Sequence, residues 1–329
     1  MALNRITIRR SDLEVMEYET DATGSILAVM GQSDAPPLSP DAALNDDIYP
    51  RFTYALQPYF QPSYFDPDRP IRLDVGIELN GTYLPAPGWI VSGALRYKLF
   101  GDLDGGRPSN SVLPHVRSDW AEYAKYEFTM RNMYATKQWR PGKDLYARAS
   151  FGYLEEMFGG LSTEVLWKPV NSPMALGLEL NYVAQRNQDQ WFGFDQYDYM
   201  VGTGHAAVYY EFGPGLIAKV DAGRYLAGDW GGTFALDRVF DNGWQVGAFF
   251  TMTDVSAEEF GEGSFDKGIR FSMPINWILG NPTRQVVGTT ITPITRDGGQ
   301  KLNAPGRLYP QIRDAHRQAL DDQSVRFWQ

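Results

Sequence analysis

The chain has no cysteine and only three histidines among its 329 residues. The absence of cysteine excludes disulfide bonds, a thiol nucleophile, thiolate zinc sites and iron–sulfur clusters. The histidines, His115, His205 and His316, lie far apart in the sequence, which disfavours a histidine-based metal centre. The sequence therefore predicts no metal site and no cofactor.

Basic residues are fewer than acidic residues. The chain carries 30 Lys and Arg residues against 40 Asp and Glu residues, which gives a formal net charge of −10. Because contacts to nucleic-acid phosphates need a basic surface, we expect no nucleic-acid partner.

Long apolar runs are also missing. The segment 79–95 has no charged residue, but it is interrupted by Pro85, Pro87 and several glycines. A membrane-spanning helix needs about 20 mostly apolar residues, so none is predicted. Membrane-spanning β-strands stay possible, because each strand shows an apolar residue to lipid only at every second position.

The N-terminus shows no secretion signal. Residues 1–10 carry three arginines, and no apolar segment follows them. If the protein is exported, we expect this chain to be a fragment of a longer precursor that supplies the signal peptide.

Glycine and aromatic residues are abundant, with 33 glycines and 14% aromatics, as is typical of β-proteins with many turns. Apolar and polar residues alternate repeatedly, beginning with Ile71, Arg72, Leu73, Asp74, Val75, Gly76, Ile77, Glu78 and Leu79. Many of the segments run for 9–11 residues, the length that a tilted strand needs to cross a bilayer. The sequence thus predicts an all-β fold, an antiparallel β-barrel of the outer-membrane type with about 12 strands.

The predicted organisation has four parts. Residues 1–30 form a small N-terminal β or α/β element, and residues 31–70 form a proline-rich linker. Residues 71–295 form the barrel. Residues 296–329 form a C-terminal tail whose helical spacing at 308–322 predicts a short amphipathic helix.

The alternation leaves two interpretations of the apolar face. In a soluble β-sandwich this face is the core, whereas in a membrane barrel it meets lipid and the polar face lines a lumen. The barrel is favoured by aromatic residues near the ends of the apolar faces, as in Trp89, Tyr182, Phe212, Trp244 and Trp277.

Motifs for common catalytic chemistries are missing. The sequence has no phosphate-binding P-loop, no zinc-protease HExxH and no GxSxG nucleophile elbow. Adjacent carboxylates occur at Glu155-Glu156 and Glu258-Glu259, but neighbouring strand residues point to opposite faces and could not flank one sugar. The sequence predicts no catalytic residues and no enzyme activity.

One loop is unusually aromatic and is a candidate site for sugar contacts. Its candidate residues are Trp191, Phe192, Tyr197 and Tyr199. The alternative, which we favour, is that these rings pack within the loop or lie at a membrane interface.

Several segments resemble the YjbH/GfcD family of Gram-negative exopolysaccharide and capsule proteins, and together they cover most of residues 50–303. The segments are 150–160, 164–169, 203–210, 223–232, 238–244, 261–268 and 295–300. The resemblance implies an outer-membrane β-barrel, often a lipoprotein, that acts in polysaccharide export or biofilm matrix production. Family members are longer, and this chain is similar to their C-terminal part. It lacks the cysteine to which a lipid anchor would be attached.

The same segments contain, or lie next to, charged residues that we expect to face the lumen and to pair into a network, or else only to stiffen the wall. They are Arg224, Asp229, Arg238, Asp241, Asp266, Lys267 and Arg270.

We expect a non-enzymatic outer-membrane component of polysaccharide export. Its partners would be outer-membrane lipid, the polysaccharide and other secretion proteins. The alternatives are a soluble carbohydrate-binding or carbohydrate-active β-sandwich, and a structural scaffold for secretion partners.

Overall fold

A computed structural model describes residues 3–16, 28–36, 49–65, 68–213, 215–240, 242–260, 265–274, 286–292 and 296–316. The fold is all-β, a nearly closed barrel of 13 antiparallel strands. The predicted fold class is therefore confirmed. None of the described helices has the length and apolar character needed to span a bilayer.

The N-terminal part consists of strand β1 (Asn4–Thr7), helix α1 (Arg10–Met16) and strand β2 (Gly31–Asp34), and β1 pairs with β2. The barrel strands are β3 (Arg51–Tyr64), β4 (Ile71–Leu84), β5 (Trp89–Gly101), β6 (Phe128–Gly142), β7 (Leu145–Tyr153), β8 (Phe158–Trp167), β9 (Met174–Gln185), β10 (Met200–Gly213), β11 (Leu216–Arg224), β12 (Trp230–Val239), β13 (Gln245–Thr253), β14 (Asp266–Pro274) and β15 (Val286–Ile291). Three further short helices are α2 (Trp120–Tyr123), α3 (Ala257–Phe260) and α4 (Leu308–Arg313).

Each barrel strand pairs with the next one along the chain, which leaves β3 and β15 as the edge strands. The two ends of the barrel differ. We call one the turn end, because short connections such as 85–88 and 143–144 lie there. The other is the loop end, which carries the long connections 102–127 and 186–199.

The segment 31–70 is not only a linker. Residues 51–64 form β3, so the barrel begins at residue 51 rather than 71. Proline normally argues against a strand because it lacks the N–H that a ladder needs. Pro58 and Pro62 are accommodated because β3 is an edge strand, with a ladder partner on one side only. Residues 37–48 lie outside the described residues.

Alternation along the strands places charge inside and apolar side chains outside. On β9, Glu179 and Asn181 are buried, whereas Leu178 and Leu180 are 48% and 53% exposed. The same arrangement holds on β13, where Thr251 is buried and the ring of the neighbouring Phe250 is 40% exposed. The chain is therefore not the β-sandwich considered above, because its apolar face does not form a core.

Two glycines allow close approach of neighbouring backbones within the segment 223–232. A Cβ placed on Gly223 would lie 1.8 Å from the carbonyl oxygen of Gly204. A Cβ on Gly231 would lie 2.1 Å from the carbonyl oxygen of Met252. Any larger residue at either position would force the strands apart, which is a packing reason for glycine in this segment.

Candidate functional site

The C-terminal segment crosses the interior of the barrel. Residues 296–316, which we call the plug, start at the loop end, where the Gly299 amide donates to Asp229 over 2.8 Å. The plug ends at the turn end, where the side chain of Gln138 on β6 donates to Gln311 over 3.1 Å. The predicted C-terminal tail is thus an internal element of the fold. Its helix α4 is described over Leu308–Arg313, whereas residues 317–329 lie outside the described part.

Two apolar clusters anchor the plug, one near each end of the barrel. At the loop end Leu302 and Ala304 belong to a buried cluster with Val116, Tyr123, Leu154, Met157, Phe158, Val183, Val201 and Leu226. At the turn end Leu308, Tyr309 and Ile312 belong to a second cluster with Tyr146, Leu166, Ala175 and Ile217. Burial of an aliphatic or aromatic side chain contributes about 1.5–3 kcal/mol, so these contacts favour the docked plug.

Between the clusters, charge pairs join the plug to the wall. Lys301 Nζ lies 2.7 Å from Asp221 Oδ1 on β11, and Arg307 Nε lies 2.8 Å from Glu179 Oε2 on β9. Glu164 on β8 accepts a hydrogen bond from the Leu308 amide at 3.1 Å. Each wall carboxylate therefore has a donor from the plug. Removal of one partner of such a buried pair typically costs 3–5 kcal/mol, because a buried charge is left unpaired.

At the loop end Asp297 fixes the entry of the plug to the connection 102–127. Its carboxylate accepts bonds from the amides of Arg117 and Ser118 at 2.8 and 2.9 Å, and from the Ser118 hydroxyl at 2.6 Å. Arg117 Nη2 in turn lies 2.8 Å from Glu155, which also accepts the Asn303 amide at 3.1 Å. The loop and the plug thus form one hydrogen-bonded unit over this opening.

The adjacent carboxylates Glu155 and Glu156 are both engaged by arginines. Glu155 pairs with Arg117, and Glu156 pairs with Arg96, which also bonds Glu78 on β4. Both carboxylates are therefore engaged in ion pairs within the fold and are not presented to a ligand.

The predicted charge network is dispersed in the structure. Arg224 donates to the carbonyl oxygens of Gly228 and Gly202, and Asp266 is buried. Asp229 holds the plug through Gly299, as described above. Arg270 pairs with Asp237 at 3.0 Å.

Arg238 and Lys267 have exposed side chains and lie over the rings of Phe240 and Phe265. Asp241 lies outside the described residues. No ion pair joins two of the six described members, so the structure does not bring them into one network.

The sequence patterns did not identify the group of residues that holds the plug. Glu164 and Asp221 were recognisable as polar positions on alternating strands. Their plug partners lie far away in the sequence, for example 80 residues between Asp221 and Lys301. No local pattern identifies Lys301 or Arg307 as their partners.

The aromatic loop packs largely on the protein itself. The Tyr197 hydroxyl donates to Asp119 at 2.8 Å, and its ring stacks on Tyr123. The Tyr199 hydroxyl donates to the Leu226 carbonyl oxygen at 2.6 Å. Trp191 meets Phe128 edge-on, and Phe192 is 59% exposed. The two tyrosine hydroxyls are therefore used within the fold, in line with the packing alternative.

His316 closes the plug at the turn end, where its ring is buried and neither ring nitrogen has a hydrogen-bond partner among the residues that the structure describes. Burial, and secondarily the nearby Lys168, lowers its pKa to about 4, while Asp34 acts in the opposite direction. The docked state therefore holds a neutral imidazole. Below the ordinary pKa of 6.5 an undocked His316 takes up a proton and the docked one does not, so docking weakens as the pH falls.

We predict that lowering the pH from 7.5 to 5.0 destabilises docking of residues 308–316 by about 2 kcal/mol, a change of about 30-fold in the opening equilibrium. Hydrogen exchange of these amides, normalised to exchange in β9 to remove intrinsic pH effects, measures the change. The His316→Phe variant keeps an aromatic ring without a titrating group and should lose most of the response. An equal response in both proteins would assign the pH effect to another group.

Residues 1–314 match the model of a family described as exopolysaccharide biosynthesis protein YbjH. The uncharacterized lipoprotein YjbH of Escherichia coli (strain K12) is 35% identical over 271 residues, which cover 80% of this chain and 39% of that protein. The chain thus spans about two fifths of the length of this relative. The chain belongs to the YjbH exopolysaccharide biosynthesis family.

Proposed function

We propose that this chain forms a membrane-spanning barrel in the outer membrane and takes part in exopolysaccharide production without catalysing a reaction on the polymer. The observation that carries the proposal is the outward apolar face, which is bordered by aromatic side chains at both ends of the barrel. Large apolar surfaces of this kind are rare on proteins surrounded by water.

The aromatic borders lie at opposite ends of the strands. Four half-exposed tryptophans lie at the turn end, Trp89, Trp139, Trp167 and Trp244. Exposed aromatic residues at the loop end include Phe128, Phe192, Phe194 and Trp230. Such rings favour the level of lipid headgroups, where an apolar body and a polar edge both find suitable surroundings.

The separation of the borders suits a bilayer. Trp230 begins β12 and Phe240 directly follows its last residue, so the two lie ten residues apart, about 33 Å at the usual rise of a strand. With a tilt of about 40°, this corresponds to about 25 Å along the barrel axis, close to the apolar band of outer-membrane barrels. Between them Phe234 and Leu236 are exposed. Arg238 lies near the border, over the Phe240 ring, as expected of a cation whose charged end reaches the headgroups.

The interior supports a non-catalytic role. The buried carboxylates Glu164, Glu179 and Asp221 accept hydrogen bonds or ion pairs from the plug or the wall. A general acid or base must instead present a proton-transferring group to a substrate. The family description and the lipoprotein name of the E. coli relative support a role in exopolysaccharide production at the cell envelope.

Two matched substitutions, one on β12 and one directly after it, test membrane insertion. We predict that Phe234→Arg, near the middle of the apolar band, destabilises the barrel in lipid vesicles by about 2–4 kcal/mol. Phe240→Arg, the same change at the border, should cost about 0–1 kcal/mol. Urea titration of the folded chain in vesicles measures both free energies of unfolding.

In water, arginine at either exposed position would have a small effect, because surface substitutions rarely exceed 0.5 kcal/mol. Equal, small costs at the two positions would therefore contradict a bilayer around β12.

A scaffold function is the second candidate, because the plug occupies the lumen. In that case the interior would serve stability, and the polymer would pass elsewhere. If the polymer instead passes through this barrel, the plug has to move, and its charge pairs with Asp221 and Glu179 have to open.

A reversible cross-link separates the two candidates. The chain lacks cysteine, so Gln138→Cys with Gln311→Cys places a unique thiol pair where two side chains now touch. A cleavable bis-maleimide would tie the plug to β6. We predict that cross-linking stops polymer secretion by cells that depend on this protein, and that cleavage of the linker restores it.

The two single-cysteine variants, treated with the same reagent, control for modification alone. Normal secretion by the cross-linked protein would exclude a moving plug and favour the scaffold.

A further inference from the structure

A cavity of about 820 Å³ opens at the turn end of the barrel. It lies between residues 33–36, which include the end of β2, the β4–β5 connection and the β6–β7 hairpin. The plug, the aromatic loop and the predicted charge network contribute none of its lining residues. Gln138, which lines the cavity, also contacts the plug through Gln311, so the cavity adjoins the turn end of the plug.

The lining is basic although the chain as a whole is acidic. Arg5, Lys137, Arg140 and Lys143 line the cavity together with one carboxylate, Asp34, which gives a local charge of 4 − 1 = +3. Asp34 is already ion-paired with Arg140. Among the described residues, no carboxylate lies within ion-pair distance of the other three cations. Among the described lining residues, positive charge is therefore in excess.

Two exposed tryptophans, Trp89 and Trp139, lie at the same end of the barrel as the cavity. Lys137 Nζ lies 5.0 Å from the centre of the Trp89 ring and donates to the Pro87 carbonyl oxygen at 3.1 Å. Trp139, two residues along the same strand face, lines the cavity and is 41% exposed. Both rings belong to the turn-end aromatic border, so the cations lie at the depth where lipid phosphates are found.

We infer that this cavity binds the phosphate of an anionic phospholipid headgroup from the adjacent leaflet. Arginine suits a phosphate because its planar donors can bond two oxygens, and lysine adds a point charge. Trp139 would contact the glycerol region, where amphipathic rings are favoured. The inference rests on the proposed membrane location, because only a surrounding bilayer brings such headgroups to this end.

The test uses native mass spectrometry of the full chain in detergent. Phosphatidylglycerol is compared with zwitterionic phosphatidylethanolamine and with soluble glycerol phosphate, which carries a phosphate without acyl chains. We expect binding of phosphatidylglycerol at least 10-fold tighter than binding of either other ligand. The double variant Arg5→Gln/Lys143→Gln should weaken it about 10- to 30-fold, since each cation near a lipid phosphate contributes about one order of magnitude or less.

The control variant, Arg107→Gln/Lys125→Gln, removes two exposed cations at the loop end and should leave binding unchanged. Equal loss in both double variants would show only a general charge effect and would overturn the site. If the unmodified chain bound phosphatidylglycerol and phosphatidylethanolamine equally tightly, that result alone would overturn the proposed lipid site. Glycerol phosphate bound as tightly as the lipid would assign the cavity to a soluble phosphate.

Failure of this site and failure of the proposed function give different results. If the barrel spans a membrane but the cavity does not bind lipid phosphate, Phe234→Arg and Phe240→Arg still differ in stability while the headgroup preference is missing. If the chain does not span a membrane, that difference disappears as well.

Discussion

Charged side chains fill the interior of this barrel because the apolar side chains of the same strands face outward. A strand with a period of two has only these two faces, and burying one set exposes the other. The carboxylates that result, Glu164, Glu179 and Asp221, need donors that water supplies poorly in a closed interior. The plug provides them through Lys301, Arg307 and the Leu308 amide. The outward apolar face and the inward plug are therefore both consequences of the two-residue period of the strands.

The plug combines two kinds of contact with different roles. Its apolar ends around Leu302 and Ile312 supply burial without requiring a fixed geometry. Its charged middle specifies register, because Lys301 and Arg307 each have to meet a particular carboxylate. A shift of the plug along the barrel would leave those carboxylates unpaired, at a cost of several kcal/mol. The plug is therefore held in one position along the barrel. An undocked plug would be a separate state, not a small shift from that position.

The local parts of this architecture could be predicted, because alternation is a local pattern. The segment 71–79 indicated a strand with one apolar face, and the aromatic borders indicated which face was outside. The edge strand β3 was missed, because Pro58 and Pro62 are tolerated only where a ladder partner is missing on one side. The lumen network was misassigned for Arg238 and Lys267, which lie beside aromatic rings on the outer face. The plug contacts depend on pairings across 80 residues or more, and no alternation pattern encodes such a pairing.

The outward orientation of the apolar face in lipid can be measured residue by residue on β12. Because the chain has no cysteine, single cysteines at 233, 234, 235, 236 and 237 can each carry one spin label. In lipid vesicles, we predict that labels at 234 and 236 collide readily with dissolved oxygen and poorly with a water-soluble nickel chelate, whereas labels at 233, 235 and 237 are shielded from oxygen. Ready collision of the 234 and 236 labels with the nickel chelate would contradict this prediction.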